Sequence, residues 1–153
     1  MKFLQNSNSK SITVQVFLVL VSVNISSCSA SNSQVQKLAE ANIELMNRAQ
    51  IDYYIETNRF SANVIEKQNL PIKPGGTEFT YKTDIQPNLA FSYALSEKPY
   101  YQSIVGGAFA FKDAEGRPYV RTILCRAKQT GSQSISPPSN EKTCGDGTKQ
   151  IEQ

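Results

Sequence analysis

Three cysteines and no histidine define what chemistry this 153-residue chain can do. Histidine is the commonest general base near neutral pH and the commonest metal ligand, so its absence removes most hydrolytic and metal-dependent chemistries together. Carboxylates remain. Glu40, Glu44, Asp52 and Glu56 fall in a helical run, with Glu40 and Glu44 on its solvent side, and they read as a charged face. Asp113 and Glu115 sit in a turn-like stretch, where short acidic side chains bond their own backbone, and Asp146-Gly147 is a second turn. No serine-nucleophile motif and no phosphate-cradling glycine loop is present. The expectation is a protein that is not an enzyme, with no catalytic residue, no metal and no cofactor.

The first cysteine has a different chemistry in view. Lys2 and Lys10 precede the apolar run Val16–Val23, which is short for a membrane span of about 20 residues but suits the core of an export signal. Ile25-Ser26-Ser27-Cys28 then resembles a bacterial lipobox, in which a slim extended approach ends at a thiol that accepts a diacylglyceryl group. Residues 1–27 are expected to be a signal peptide and Cys28 a lipidation site. Cleavage after Ala30 and retention of the segment as an anchor are the other readings. An odd cysteine count requires one thiol to be free, modified or paired between chains. With Cys28 acylated, Cys125 and Cys144 are left as one pair in an oxidising compartment. Zinc is the weaker alternative, since three separated cysteines without histidine lack the usual ligand spacing, and no Cys-x-x-Cys redox motif exists.

Charge excludes a further class. Lys2 and Lys10 lie in the signal and no acidic residue precedes Cys28, so removal of residues 1–27 lowers the formal charge from +3 to +1. That balance carries no basic footprint for nucleic acid. The length fits one domain, small enough to benefit from a covalent staple.

These residues need elements to position them. Ser33 and Gln36 fit a capping box opening a helix over 33–57, about 37 Å long, with Asn58 as its left-handed end. Val35, Leu38, Ala39, Leu45, Met46, Ala49 and Tyr53 share one stripe, broken by Asn42, and Glu44 and Arg48 pair on the other side. Ile51, Tyr54 and Ile55 widen the apolar surface toward the end, so the second half should be the more buried. A loop with Pro71, Pro74, Gly75 and Gly76 follows. Alternating patterns over 79–85, 89–95, 104–112 and 119–128 predict four strands, with turns at Gln86-Pro87-Asn88 and at 113–117, where Gly116 takes the positive φ. The Ser/Pro/Gly-rich tail from Gln129 is expected to be irregular and to close back through Cys144.

The run Met46–Phe60, the order Tyr100-Tyr101 before Ile104-Val-Gly-Gly-Ala-Phe109, then Thr122-Ile-Leu-Cys125, a Pro-containing loop and Cys144-Gly145, together resemble the cyanobacterial type IV pilin-like G/H family over about residues 40–148. The resemblance implies a pilin-like α+β fold: a long N-terminal helix packed on a four-stranded antiparallel sheet, with a C-terminal loop closed by a Cys125–Cys144 disulfide. The start of the chain departs from that pattern. A fibre-forming pilin has a basic leader, a Gly cleavage site and a Phe-Thr-Leu-Ile-Glu-like apolar helix, whereas here no Gly occurs in residues 1–74 and no acid before Glu40.

The expected organisation is therefore a signal over 1–27, a tether over 28–32, a pilin-like domain over 33–148 and a tail over 149–153. The function implied is a non-enzymatic, lipid-anchored interaction module of pilus, secretion or envelope machinery, facing periplasm or cell surface. Its partners would be proteins of that machinery and the membrane, with no nucleic acid. A minor pilin or secretion pseudopilin held in a fibre by its N-terminal segment, and a soluble periplasmic binding protein, are the alternatives. Tyr100 and Tyr101, beside Pro99, are the candidate contact surface, because tyrosine offers rigid area with a polar tip. The bland reading of this pair has one ring packed inward and one on the surface.

Overall fold

A computed structural model describes residues 31–131 and 134–152. The expected signal peptide and Cys28 lie outside the described residues. The chain runs as helix α1 (Asn32–Thr57), a short helix α2 (Val64–Lys67), and strands β1 (Phe79–Gln86), β2 (Leu89–Ser96), β3 (Ile104–Lys112), β4 (Pro118–Ala127) and β5 (Thr148–Gln150).

Helix α1 opens on a capping box two residues earlier than the sequence pattern suggested. The Ser31 backbone N–H donates to Gln34 Oε1 at 2.8 Å, and the Gln34 N–H donates to Ser31 Oγ at 3.3 Å. Ser31–Gln34 and Ser33–Gln36 carry the same motif, and Gln36 is needed elsewhere. Its amide donates to the Gln102 carbonyl and accepts from the Gln102 N–H, both at 3.0 Å, tying the first helical turns to the β2–β3 connection. The helix ends at Asn58 with φ of 56°, in the left-handed conformation expected.

The buried face is Ala39, Ile43, Met46, Asn47, Ala49, Gln50 and Tyr54, weighted to the second half as expected but rotated from the predicted stripe. Leu38 is 62% exposed and Ile55 52%, whereas Asn47 and Gln50 are buried. Hydrophobicity alone placed the stripe wrongly because two amides are admitted to the core by their bonds. Gln50 donates to the Ser61 carbonyl at 2.7 Å and accepts from the Ser61 N–H at 3.0 Å, acting as a backbone surrogate that fastens the chain after the helix. Asn47 donates to the Ile123 carbonyl at 3.4 Å. Asn42, the break in the predicted stripe, donates to the Tyr81 hydroxyl at 2.9 Å. Burial pushes the Tyr81 phenol above its ordinary pKa, and the bond from Asn42 acts in the opposite direction. Among the described residues Glu44 and Arg48 form no ion pair.

The sheet is antiparallel in the order β1-β2-β3-β4-β5, five strands where four were expected. The fifth, β5, pairs with Cys125–Ala127 and takes in Lys149 and Gln150, which had been assigned to the tail. A three-residue strand in a polar tail has no periodicity to reveal it. The loop after α1 likewise contains the single turn of α2, which buries Val64 and Ile65.

Both faces of the sheet are covered, and residue size decides by what. Ala90, Ser92, Ala94 and Ser96 of β2 alternate with Leu89, Phe91, Tyr93 and Leu95. Ala90, Ala94 and Ala108 belong to clusters with the helix residues Tyr54, Ile43 and Met46, so the helix lies on the small-residue face. Phe91, Tyr93, Val105, Phe109, Ile123 and Cys125 cluster on the other face with Ile135 of the C-terminal segment.

Gly106 and Gly107 sit where the two covers come closest. A Cβ on Gly106 would lie 2.5 Å from the Asn47 amide atoms and 2.7 Å from Ile43 Cγ2. A Cβ on Gly107 would lie 2.7 Å from the Phe109 ring and 3.2 Å from Pro138 Cγ. Adjacent strand residues point to opposite faces, so the pair thins the sheet centre for the helix on one side and the loop on the other. Substituting Gly106 with Ala should cost about 1–3 kcal/mol by overpacking. Urea unfolding checks this, and an unchanged midpoint would mean that the helix can lift without penalty.

The 113–117 hairpin is held by one carboxylate. Asp113 Oδ1 accepts from the N–H of Arg117 at 2.8 Å and of Glu115 at 3.1 Å, and Oδ2 accepts from Arg117 Nε at 2.7 Å. Gly116 takes φ of 80°, as expected. The backbone bond from Arg117 is the main cause holding the Asp113 carboxyl below its ordinary pKa, against a smaller upward effect of desolvation. A depressed folded value favours the closed hairpin above the ordinary carboxylate range. That contribution is lost as pH falls from about 4 through the lower folded value. NMR titration of the 113–117 amides should show this acid loosening, and Asp113→Asn should abolish its pH dependence.

Candidate functional site

The acidic residues considered for chemistry are spoken for or dispersed. Glu40, assigned to the solvent side, instead reaches across to β4, where Oε1 accepts from Arg126 Nη1 at 2.7 Å, and its side chain is 17% exposed. The pair joins residues 86 positions apart, a distance at which no helical or strand period can announce a partner. Glu44, Asp52 and Glu56 are exposed along the helix. Asp113 and Glu115 are both occupied by Arg117, and Asp146-Gly147 is a turn with Gly147 at φ of 71°. Among the described residues no group of three or more Cys, Asp or Glu is placed to hold a metal ion.

What the chain does assemble is a covalently closed cover and, at one end of the domain, a surface. Cys125 projects from β4 on the large-residue face and is bonded to Cys144, with a Cα–Cα distance of 5.8 Å and a sequence separation of 19. Between the end of β4 at Ala127 and Cys144 the described residues form no helix or strand, as expected. Ile135 and Pro138 of this stretch are buried against the sheet. Gly145 passes against the Pro137 carbonyl with no room for a side chain. β5 follows at once and adds to the edge of β4. The disulfide therefore pins a third layer over a face that would otherwise expose Phe91, Tyr93 and Phe109.

The two tyrosines divide. Tyr101 is 4% exposed: its ring lies 5.3 Å from Phe79, and its hydroxyl donates to Asn32 Oδ1 at 3.3 Å. Tyr100 is 52% exposed and meets the Tyr101 ring edge-on at 4.7 Å. Of the pair, only Tyr100 presents substantial ring surface, and Tyr101 braces it from within. Beside them, Val35, Leu38 and Asn42 of α1 face Pro71, Ile72, Phe79 and Tyr81 across a groove of about 390 Å³. This groove was missed in the sequence because Leu38 had been assigned to the core.

A long capped helix on an antiparallel sheet, with a disulfide-closed C-terminal loop, defines a pilin-like α+β domain. The chain matches the sequence profile of the type IV pilin-like G and H family over residues 36–150, and it belongs to that family. No curated protein and no solved structure matched. Membership associates the chain in general with pilus or secretion proteins of the cell envelope, and the family is generally structural, not enzymatic. Among the described residues no helix is long and apolar enough to cross a membrane.

Reduction of Cys125–Cys144 should lower stability by about 3 kcal/mol, the order expected for a closed loop of this length. Urea unfolding with and without reductant measures it, and dye binding should report the uncovered aromatic face. Equal midpoints would mean that the loop layer is held by packing alone.

Proposed function

We propose that this protein is a non-catalytic pilin-like interaction module, held at a membrane through a lipidated Cys28 and acting by contact with pilus, secretion or envelope components. The observation that carries the reading is the junction of two features. The pilin-family match starts at Gln36, inside a helix capped at Ser31, and a lipobox-like Ile25-Ser-Ser-Cys28 ends three positions before that cap. In this reading residues 29 and 30 are nearly the whole tether. The domain is thus kept close to its anchor and works at the membrane surface. Tyr100, braced by Tyr101, is the ring offered for contact at the end where the chain enters the domain.

Intact mass of the protein from the membrane fraction, without reductant, tests this directly. The expected species begins at Cys28, carries added acyl mass and lacks two hydrogens for the Cys125–Cys144 bond. It should be absent from sheared fibres. A chain that retains residues 1–27 and copurifies with fibres would replace this reading with that of a minor pilin. An unlipidated chain recovered free in the periplasm would replace it with a soluble binding protein.

A further inference from the structure

Ile55, Ile85 and Tyr119 are exposed elsewhere on the domain, but the end from which the chain leaves toward Cys28 brings two exposed apolar side chains onto one continuous strip. Leu38 is 62% exposed on the second turn of α1 and Tyr100 is 52% exposed on the β2–β3 connection. They are joined through packed rings: Tyr100 touches Tyr101, Tyr101 touches Phe79, and Phe79 lines the groove beside Leu38. Pro71 and Pro99 are exposed at the margins of this strip. Lys37 is exposed beside Leu38, Lys73 is exposed at the groove, and Lys98 adjoins Pro99-Tyr100. Two carboxylates share this end with the three lysines: Glu78 lines the groove and accepts from Thr77 Oγ1 at 3.4 Å, and Glu97 accepts from Thr80 Oγ1 at 2.7 Å. No acidic residue occurs in α1 before Glu40, which is tied to Arg126.

We infer that this end, through Leu38, Tyr100, Lys37 and Lys73, seats the domain on the headgroup region of an anionic bilayer. The inference rests on the lipid anchor proposed above, which fixes where the surface must lie. Only Ser29 and Ala30 lie between Cys28 and Ser31, and these three chain steps span at most about 10 Å even when extended. A domain so tethered cannot avoid the interface, and the face nearest the anchor is the one with free leucine and tyrosine. Tyrosine favours the water–lipid boundary, apolar side chains insert just beneath it, and lysines reach anionic headgroups while their stems stay apolar.

The test uses the matured chain reconstituted in vesicles of equal parts phosphatidylcholine and phosphatidylglycerol. Leu38→Cys and, at the far end of the helix, Glu56→Cys each carry an environment-sensitive fluorophore, with Cys125–Cys144 left oxidised. The probe at 38 should shift its emission to shorter wavelength and lose most of its quenching by aqueous iodide. It should gain quenching by nitroxide-labelled lipid, and the probe at 56 should do none of these. A probe at Lys73→Cys should lose its shift when Leu38→Asp and Tyr100→Ser are combined. Both changed residues are more than half exposed, so the fold should tolerate them.

A lipidated protein with both probes in water overturns the surface and leaves the anchor standing. Shielding of the probe at 38 from iodide without nitroxide quenching also overturns it, since a protein then covers the site. If intact mass shows no lipid, the anchor fails, and flotation of the unlipidated chain with the same vesicles decides the surface separately. Flotation lost in Leu38→Asp would uphold the surface, and no flotation of the unchanged protein would overturn it.

Discussion

The structure depends on a sheet that is thin in the middle. Gly106 and Gly107 are neighbours on the central strand and point to opposite faces, so one absence of a side chain admits the helix and the next admits the loop. Around them the alternation in β2 continues the same division, with alanine and serine toward α1 and aromatic residues toward the C-terminal segment. The helix still buries Ile43, Met46 and Tyr54 against the sheet, and Asn47 and Gln50 join them because each amide bonds nearby backbone.

The second face explains why so small a domain carries a disulfide. An antiparallel sheet is often left half solvated, with polar residues outward. Here the outward row is Phe91, Tyr93, Val105, Phe109 and Ile123, and it must be covered. The cover is an irregular, proline-containing segment, which has few backbone bonds of its own and little local preference for one shape. Cys125–Cys144, the buried Pro138 and the short pairing of β5 supply the order that the segment's composition does not. Membership of a pilin-like family agrees with this plan of helix, sheet and pinned loop.

Much of this was legible in advance, and the reasons differ by element. The helix end at Asn58, the turns at 86–88 and 113–117 and the four longer strands were readable because their signals are local: a left-handed residue, a turn residue, a two-residue period. The disulfide was readable because cysteine pairing is a counting problem once one thiol is assigned elsewhere. The face of α1 was misread because burial of Asn47 and Gln50 depends on partners at Ile123 and Ser61, which hydropathy does not contain. The start of the helix was placed late because two identical capping motifs compete, and the choice is made by Gln102, 66 residues away. Glu40–Arg126, α2 and β5 were missed for the same reason, since each exists through contacts distant in sequence. The two tyrosines were named together, yet only packing against Phe79 decides which of them turns inward.

The chemistry of the disulfide also sets an order in time. Helix α1 and the β1–β2 and β3–β4 hairpins are stabilised by neighbours in the chain and require no particular environment. The loop layer is encoded last and fastened by a bond that persists only under oxidising conditions. A chain still in a reducing compartment can thus have its helix side closed while the row from Phe91 to Ile123 lacks its fastened lid. Redox state thus bears on the surface: with the bond formed, the row from Phe91 to Ile123 lies beneath a fastened loop. The final fastening of such a domain waits on the oxidation of two thiols, Cys125 and Cys144.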